Sequence, residues 1–458
     1  MSNVEKEQVT PAVQTTEQGS DSGFTDCAVP LDKRERWPSM AYAWFGAAMF
    51  VGLYYAGVEL GTSMGNLSNA LLAIVCGAVF LALFISLNGI MGYKTGCTAS
   101  LLGTYAYGSR GACIPGFHIT DIGWNVMSTA QLAVIVNAFF PQIDTRVYCI
   151  LFSMLFLTNS FVGFKAMVKL NKIAMPILLL TGLYGLLRLQ IITPGGLPAV
   201  FQIEHPYTIS IGSGITIVVG TWISGTSRAA DYFRFAKSTK DTVIAAFMGF
   251  FCGMMICICV GAFWGAGTST SSISETLVTL GGGMVAFGLI MFTLQTWTTD
   301  EHNGYTTGNA LPLCSKALCG EERIHRRPTI AVMIAICIIC CGFGVERYFT
   351  PFLNILGIFL PVIGAITIAD FYIMSHTRFH WSGHKNFYAL DVNDEEVQHH
   401  KFNPAVVPTL IGGALVGWFV KFGISAVNSM AATVILYCLF TVLFAGSRKK
   451  EAAKNHIA

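Results

Sequence analysis

Long stretches of the chain are almost free of polar side chains, and they recur at a near-regular spacing. A helix needs about 20 mostly apolar residues to cross the hydrocarbon core of a bilayer. Runs of that kind lie near 39–59, 68–92, 113–140, 147–164, 169–189, 208–234, 242–267, 282–311, 329–346, 350–375, 404–423 and 427–445. The pattern predicts an all-α polytopic membrane protein with twelve transmembrane helices, called runs 1 to 12 below. The connections are too short for a separate soluble domain. The polar segment 1–38 reads as a disordered cytoplasmic tail, and 446–458 as a cytoplasmic tail. Loop 376–403, rich in His, Asp and Glu, reads as a solvated face.

Composition agrees with this class. The 458 residues are 53% hydrophobic and 12% charged, about half the charged fraction of a soluble chain, and the mean hydropathy is +0.59. No basic patch interleaved with aromatics points to nucleic acid. The cysteines are scattered. Cys337-x-x-Cys340 with Cys341 has the spacing of a metal or redox motif, but it stands in AVMIAICIICCGF, where thiolates are costly and small apolar cysteines are the ordinary reading. Lys and Arg orient the chain. Alternate connections hold 24 of them, and the others hold only Arg146, Arg188, Arg347 and Lys421. That bias predicts both termini in the cytoplasm and an even number of spans in the plasma (inner) membrane.

Internal symmetry narrows the architecture. Run 1 carries WFGAAMFVGLYYAG and run 6 carries IGSGITIVVGTWISGT. Both are long, apolar and interrupted by small residues. Paired discontinuous helices at equivalent places in two halves point to a secondary transporter built as an inverted repeat. At the same five-run offset, runs 3 and 8 are the most polar of their halves, with HITDIGWN and LQTWTTDEHN. The competing reading is that glycines merely allow close helix packing. The repeats would be 39–189 and 208–375, with 404–445 appended.

Ionisable groups within the runs are few. An acid at membrane depth costs several kcal/mol unless paired or wet. Asp121 lies one turn from Trp124, away from the ends of its run, and is the foremost ligand-contact candidate. Asp231, three residues before Arg234, and Asp370 read as interfacial or gating groups. Glu59 is either exposed or functional. Thr298 and Thr299 offer two hard oxygens. They either complete a sodium site with carbonyls freed where run 1 unwinds, or bond the carbonyl one turn back. Trp124, Trp222 and Trp297 could hold a flat heterocycle between ring faces. His118 and His302 lie near the polar core without a convincing third metal ligand, which argues against a membrane enzyme. No filter motif suggests a channel.

Several stretches in order resemble the nucleobase:cation symporter family one, within it the cytosine permease branch. They are GVELGTSMG (57–65), GYKTGCTASLLGTYAYGSRGACIPG (92–116), DIGWN (121–125), VGTWISGTSRAADYFRFAK (219–237), TWTTDEHNGYTTG (296–308) and LPVIGAITIADFYI (360–373). The resemblance covers about 39–445. It implies the five-plus-five inverted repeat of the amino acid–polyamine–cation superfamily type, with two extra C-terminal helices and with helices 1 and 6 discontinuous. It implies import of bases and related heterocycles, with sodium or a proton as coupling ion and no other cofactor. The implied sodium ligands are the carbonyls of Gly46, Met49 and Gln295 and the hydroxyls of Thr298 and Thr299. The implied substrate position lies between Trp124 and Trp222, edged by Asp121, Thr221, Ser224, Phe50 and the Gln295 side chain.

The departures from the cytosine permease pattern are chemical. Asp121 stands where glutamine is expected, Thr221-Trp222 where serine-phenylalanine is, Gln295 where asparagine is, and Asp300 follows the threonine pair in place of asparagine. An amide donates and accepts, whereas an ionised carboxylate only accepts. Asp121 is therefore expected to prefer a donor-rich edge, or, if neutral, to couple a proton. Asp300 and Glu301 are candidates for specificity or proton coupling. The expected protein is a monomeric, non-enzymatic symporter of a cytosine-like pyrimidine, purine or related heterocycle in the lipid bilayer. The alternative is an amine or amino-acid carrier of the same architecture, with Asp121 holding an ammonium.

Overall fold

A computed structural model describes residues 28–116, 119–162, 164–392, 394–420 and 422–455. Most of the tail 1–38, together with His118 and Lys421, falls outside this set. The described residues are mostly helical, with isolated bridges Glu35–Ala236 and Met64–Tyr207 and no strand. Helical segments occupy all twelve expected runs. Six of them, in runs 2, 3, 5, 7, 10 and 12, are each long and apolar enough to cross a membrane, as is the bent pair of run 1. Runs 6 and 9 are shorter, at 17 residues (Ile211–Ser227) and 16 (Arg326–Cys341). Run 8 is one helix of 36 residues, Met284–Cys319, whose middle carries the polar crowd of TTDEHN.

Run 1 is broken. Trp37–Ala48 and Val51–Ser63 meet at a 62° bend, with Met49 and Phe50 in extended backbone. A helix that stops mid-run leaves its last carbonyls without intrahelical donors. Run 6, expected to be discontinuous, is not broken within its span. Ile211–Ser227 is continuous, and the turn falls at Arg228–Ala229, before the short helix Ala230–Phe233. Its glycines serve packing: a Cβ on Gly220 would lie 1.9 Å from the Leu353 carbonyl of run 10. The packing reading of the glycines holds in run 6, and the break of run 1 falls at Met49 and Phe50 rather than at a glycine. Run 7 contains a π-helical stretch, Ala246–Phe251, laid against the first half of run 1. A π-turn inserts a residue into the helical ladder and so re-aims the side chains beyond it.

The largest buried cluster draws on runs 1 to 8 and run 10, with Trp44, Tyr54, Phe84, Trp124, Phe250, Trp264, Phe292 and Leu353 among its members. A second joins runs 3, 4 and 9 and takes in Cys337 and Cys341, which pack as apolar side chains. The expectation for loop 376–403 is corrected. Trp381, Phe387, Val392 and Val397 are buried there with Tyr105 of the helix Ala99–Tyr107. Its scattered apolar residues lack helical or strand spacing, so the loop's acids and histidines dominate the sequence pattern. The loop is pinned by Asp370, itself fully buried. Asp370 meets the His380 ring nitrogen at 3.1 Å and accepts from the hydroxyls of Tyr388 at 2.8 Å and Tyr437 at 2.6 Å. Burial, then the Asp370 charge, push the Tyr388 phenol well above its ordinary value, so it remains a donor. Asp370 is therefore a structural hub of the loop.

Candidate substrate and ion site

The break in run 1 places Phe50 at the centre of an aromatic group. Its ring stands edge-on to Trp124 of run 3 at 5.3 Å and to Trp222 of run 6 at 5.4 Å, near perpendicular to both. Edge-to-face contact sets the positive ring edge against the negative indole face. Gly52 makes room for this pose, since a Cβ there would come within 2.4 Å of the Phe50 ring. Trp222 also donates its Nε1–H to the Ala48 carbonyl at 3.1 Å, satisfying one of the acceptors freed by the break. Phe50 thus contacts both of the indoles expected to hold a substrate. Trp297 is not part of it, as it stacks on Phe156 of run 4 at 5.4 Å.

Asp121 is almost wholly buried, at 1% exposure. It receives both terminal nitrogens of Arg228 at 3.3 Å and the Thr306 hydroxyl at 2.8 Å. Arg228 sits at the turn that ends the long helix of run 6, and its Nε reaches the Ser224 carbonyl at 3.4 Å. Asp121 is thus the acceptor of a two-pronged ion pair, a geometry that suits the planar guanidinium fork. Asp231 is engaged elsewhere: it accepts from the Ala99 backbone N–H at 2.7 Å, at the start of the helix Ala99–Tyr107. Arg234 bonds the Asp231 main-chain carbonyl at 3.1 Å. Glu59 is half-buried, and its main-chain carbonyl accepts from the Thr62 hydroxyl at 3.1 Å.

Of the expected ion ligands, Gln295 and Thr298 are directly linked: the Thr298 hydroxyl donates to the Gln295 carbonyl at 3.0 Å. This is the local back-bond that competes with ion ligation. Thr299 is half-buried, and Gly46 and Met49 bracket the end of the first half of run 1. Thr221 likewise back-bonds, to the Val218 carbonyl at 2.7 Å, while Ser224 offers its carbonyl to Arg228. The buried Gln295 amide lies 3.7 Å from the Met175 sulfur. Asp300 is buried against run 3, accepting from Ser128 and Thr129. Glu301 is buried beside it, its main-chain carbonyl bonded by Ser160 of run 4. Among the described residues no group of three or more His, Cys, Asp or Glu is arranged to hold a metal.

These features match a known family. The pattern of a family described as permease for cytosine/purines, uracil, thiamine, allantoin covers residues 29–442. The chain belongs to that family. It is 25% identical over 444 residues to the cytosine permease of Escherichia coli K12, covering 95% of this chain and 98% of that protein. It is 23% identical over 400 residues to a putative allantoin permease of the same organism, covering 77% and 80%. Among solved structures, Mhp1, a nucleobase-cation-symport-1 family transporter closed around bromovinylhydantoin, overlays with a TM-score of 0.72 at 16% identity, covering 93% and 96%. A Na+-coupled sialic acid symporter overlays at 0.60 and 13% identity, covering 94% and 93%. The last two likenesses establish the fold. The chain is thus an integral membrane transporter, and its relatives are permeases rather than enzymes.

In this permease, sequence reasoning missed Arg228, Thr306, Ser128 and Thr129. Arg228 had a signal: a lone cation directly after SGTS, where the run's small residues end, facing a polytopic chain with one mid-run carboxylate on run 3. Ser128 and Thr129 had almost none, since adjacent small hydroxyls in a helix ordinarily bond their own backbone.

Proposed function

We propose that this permease is a cation symporter that imports a nucleobase-like heterocycle by alternating access. The carrying observation is the Phe50 ring set edge-on against both Trp124 and Trp222 at the break of run 1. What supports the reading is that two indoles converge on one aromatic ring at this break, in a chain of a heterocycle-permease family. Sodium is the proposed coupling ion, held by the carbonyls of Gly46, Met49 and Gln295 and the hydroxyls of Thr298 and Thr299. The substrate would lie at Trp124 and Trp222, with Phe50 moving aside and Thr221, Ser224, Gln295 and the Asp121–Arg228 pair at its edge. Runs 1, 2, 6 and 7 would rock against runs 3, 4, 8 and 9, within a twelve-span, five-plus-five plan with both termini inside the plasma membrane.

The ion pair revises the substrate chemistry. Asp121 has its charge matched by Arg228, so it is a poor counter-ion for an ammonium, and the amine-carrier alternative loses its main support. With the carboxylate buried and the guanidinium partly exposed, the pair offers donors at the site's edge and suits a neutral heterocycle with acceptor atoms. Binding of a panel of pyrimidines, purines, hydantoins and amines to the purified protein, by thermal shift in sodium and in potassium, tests the reading. Stabilisation by a heterocycle that requires sodium is expected. Stabilisation by amines alone would overturn it.

A further inference from the structure

Asp300 is a buried carboxylate with no counter-charge. It is 1% exposed. Its two oxygens accept separately, Oδ1 from Ser128 at 2.5 Å and Oδ2 from Thr129 at 2.7 Å. The Ser128 hydroxyl also bonds the Trp124 carbonyl at 2.7 Å, so when Asp300 is ionised the single hydroxyl proton is shared between two acceptors. The titratable groups of neighbouring helices near enough to sense its charge are the Tyr55 phenol of run 1 and the thiols of Cys337 and Cys341 of run 9. The next residue, Glu301, is another buried acid. Among the described residues no Lys, Arg or His bonds or pairs with Asp300. An isolated charge in so dry a place is expensive, and such groups are found paired or bound to an ion.

The surrounding oxygens supply what an ion needs. Asn125, 0% exposed, directs its Nδ2 to the Asp300 main-chain carbonyl at 3.5 Å, and its Oδ1 has no hydrogen-bond partner. The Tyr55 hydroxyl is also without one. One carboxylate, two hydroxyls and an amide oxygen form a hard, all-oxygen set, which disfavours soft transition metals. A single formal negative charge is matched by a single positive one. Residues 298 and 300 are about 200° apart around a helix, so this cluster lies on the opposite face of run 8 from Thr298.

We propose that Asp300, Ser128, Thr129 and Asn125 form a second monovalent-cation site between runs 3 and 8, apart from the one assigned to Thr298 and Thr299. It rests on the reading of the protein as a cation symporter. It adds one ion per chain, and it ties together two helices that must hold a fixed spacing while run 6 moves.

The test is radioactive sodium binding to the purified full-length protein without any heterocycle, with potassium as control. The wild type is expected to bind about two ions per chain, with Asp300→Asn and the Ser128→Ala/Thr129→Val pair each reducing this to about one and Thr298→Ala likewise. The hydroxyl pair keeps the carboxylate, so it answers the question if Asp300→Asn fails to fold. One ion in the wild type, or an undiminished count in both variants, overturns the site. Loss of one of the two ions on acidification supports it, since protonating Asp300 removes the ligand charge. Heterocycle binding is measured separately, so a wrong substrate assignment leaves the sodium count interpretable.

Discussion

Trp222 and Asp121 show how much one side chain carries here. The indole both faces Phe50 and closes the Ala48 carbonyl, so Trp222→Phe should keep the ring contact and lose one hydrogen bond. The expected cost is about 1 kcal/mol, read as a small fall in melting temperature with heterocycle binding largely retained. Asp121→Asn is different, because it strands a guanidinium that is 19% exposed. Breaking such a pair costs roughly 3 kcal/mol, the low end for buried pairs. Asp121→Asn and Arg228→Gln should each lower stability and uptake sharply, and the double neutral variant should recover stability better than either. A double variant no better than the single ones, by melting temperature, would mean that the two residues do not act as a pair.

At the scale of the element, the two runs expected to be discontinuous differ. Run 1 stops because Met49 and Phe50 turn extended, and Phe50 is then fixed between two indoles. Run 6 keeps its helix through the glycines and turns only at Arg228, where the guanidinium spans to run 3. The glycines of run 6 are needed for approach rather than for bending. Gly220→Ala should push run 6 off the Leu353 carbonyl and destabilise the protein by about 1–3 kcal/mol, measurable by thermal shift. Thr298→Ala acts on run 8 alone. It should remove most of the sodium dependence of heterocycle binding while leaving the helix intact, and unchanged sodium stimulation would exclude Thr298 from the site.

For the whole molecule, the Asp121–Arg228 pair and the Asp370 hub define two kinds of contact. The first joins run 3 to run 6, and under the proposed rocking of one helix group against the other it would have to break or shift. The second joins run 10, run 12 and loop 374–403 through His380, Tyr388 and Tyr437, and resembles a permanent clamp. Asp370→Asn weakens the charged acceptor of that clamp. The loop should then open locally and be cut faster by protease, with spans otherwise resistant. Cleavage at the wild-type rate would show that Trp381 and Phe387 hold the loop without it.

The sequence determined the class. Twelve apolar runs, the clustering of Lys and Arg, and the polar interruptions in runs 3 and 8 follow from the cost of placing polar groups in lipid, and that cost is paid locally, residue by residue. The family is legible for the same reason, since motifs such as TWTTDEHNGYTTG are contiguous. Tertiary structure alone decided the partners. Asp121 meets Arg228 across 107 residues, Asp300 meets Ser128 across 172, and Asp370 meets Tyr437 across 67. Side-chain pairing depends on which helix faces lie together, and a single helix's apolar pattern is silent on that when nearly every face is apolar. The same silence hid loop 376–403, whose buried Trp381 and Phe387 acquire their meaning only from the helix Ala99–Tyr107 they cover.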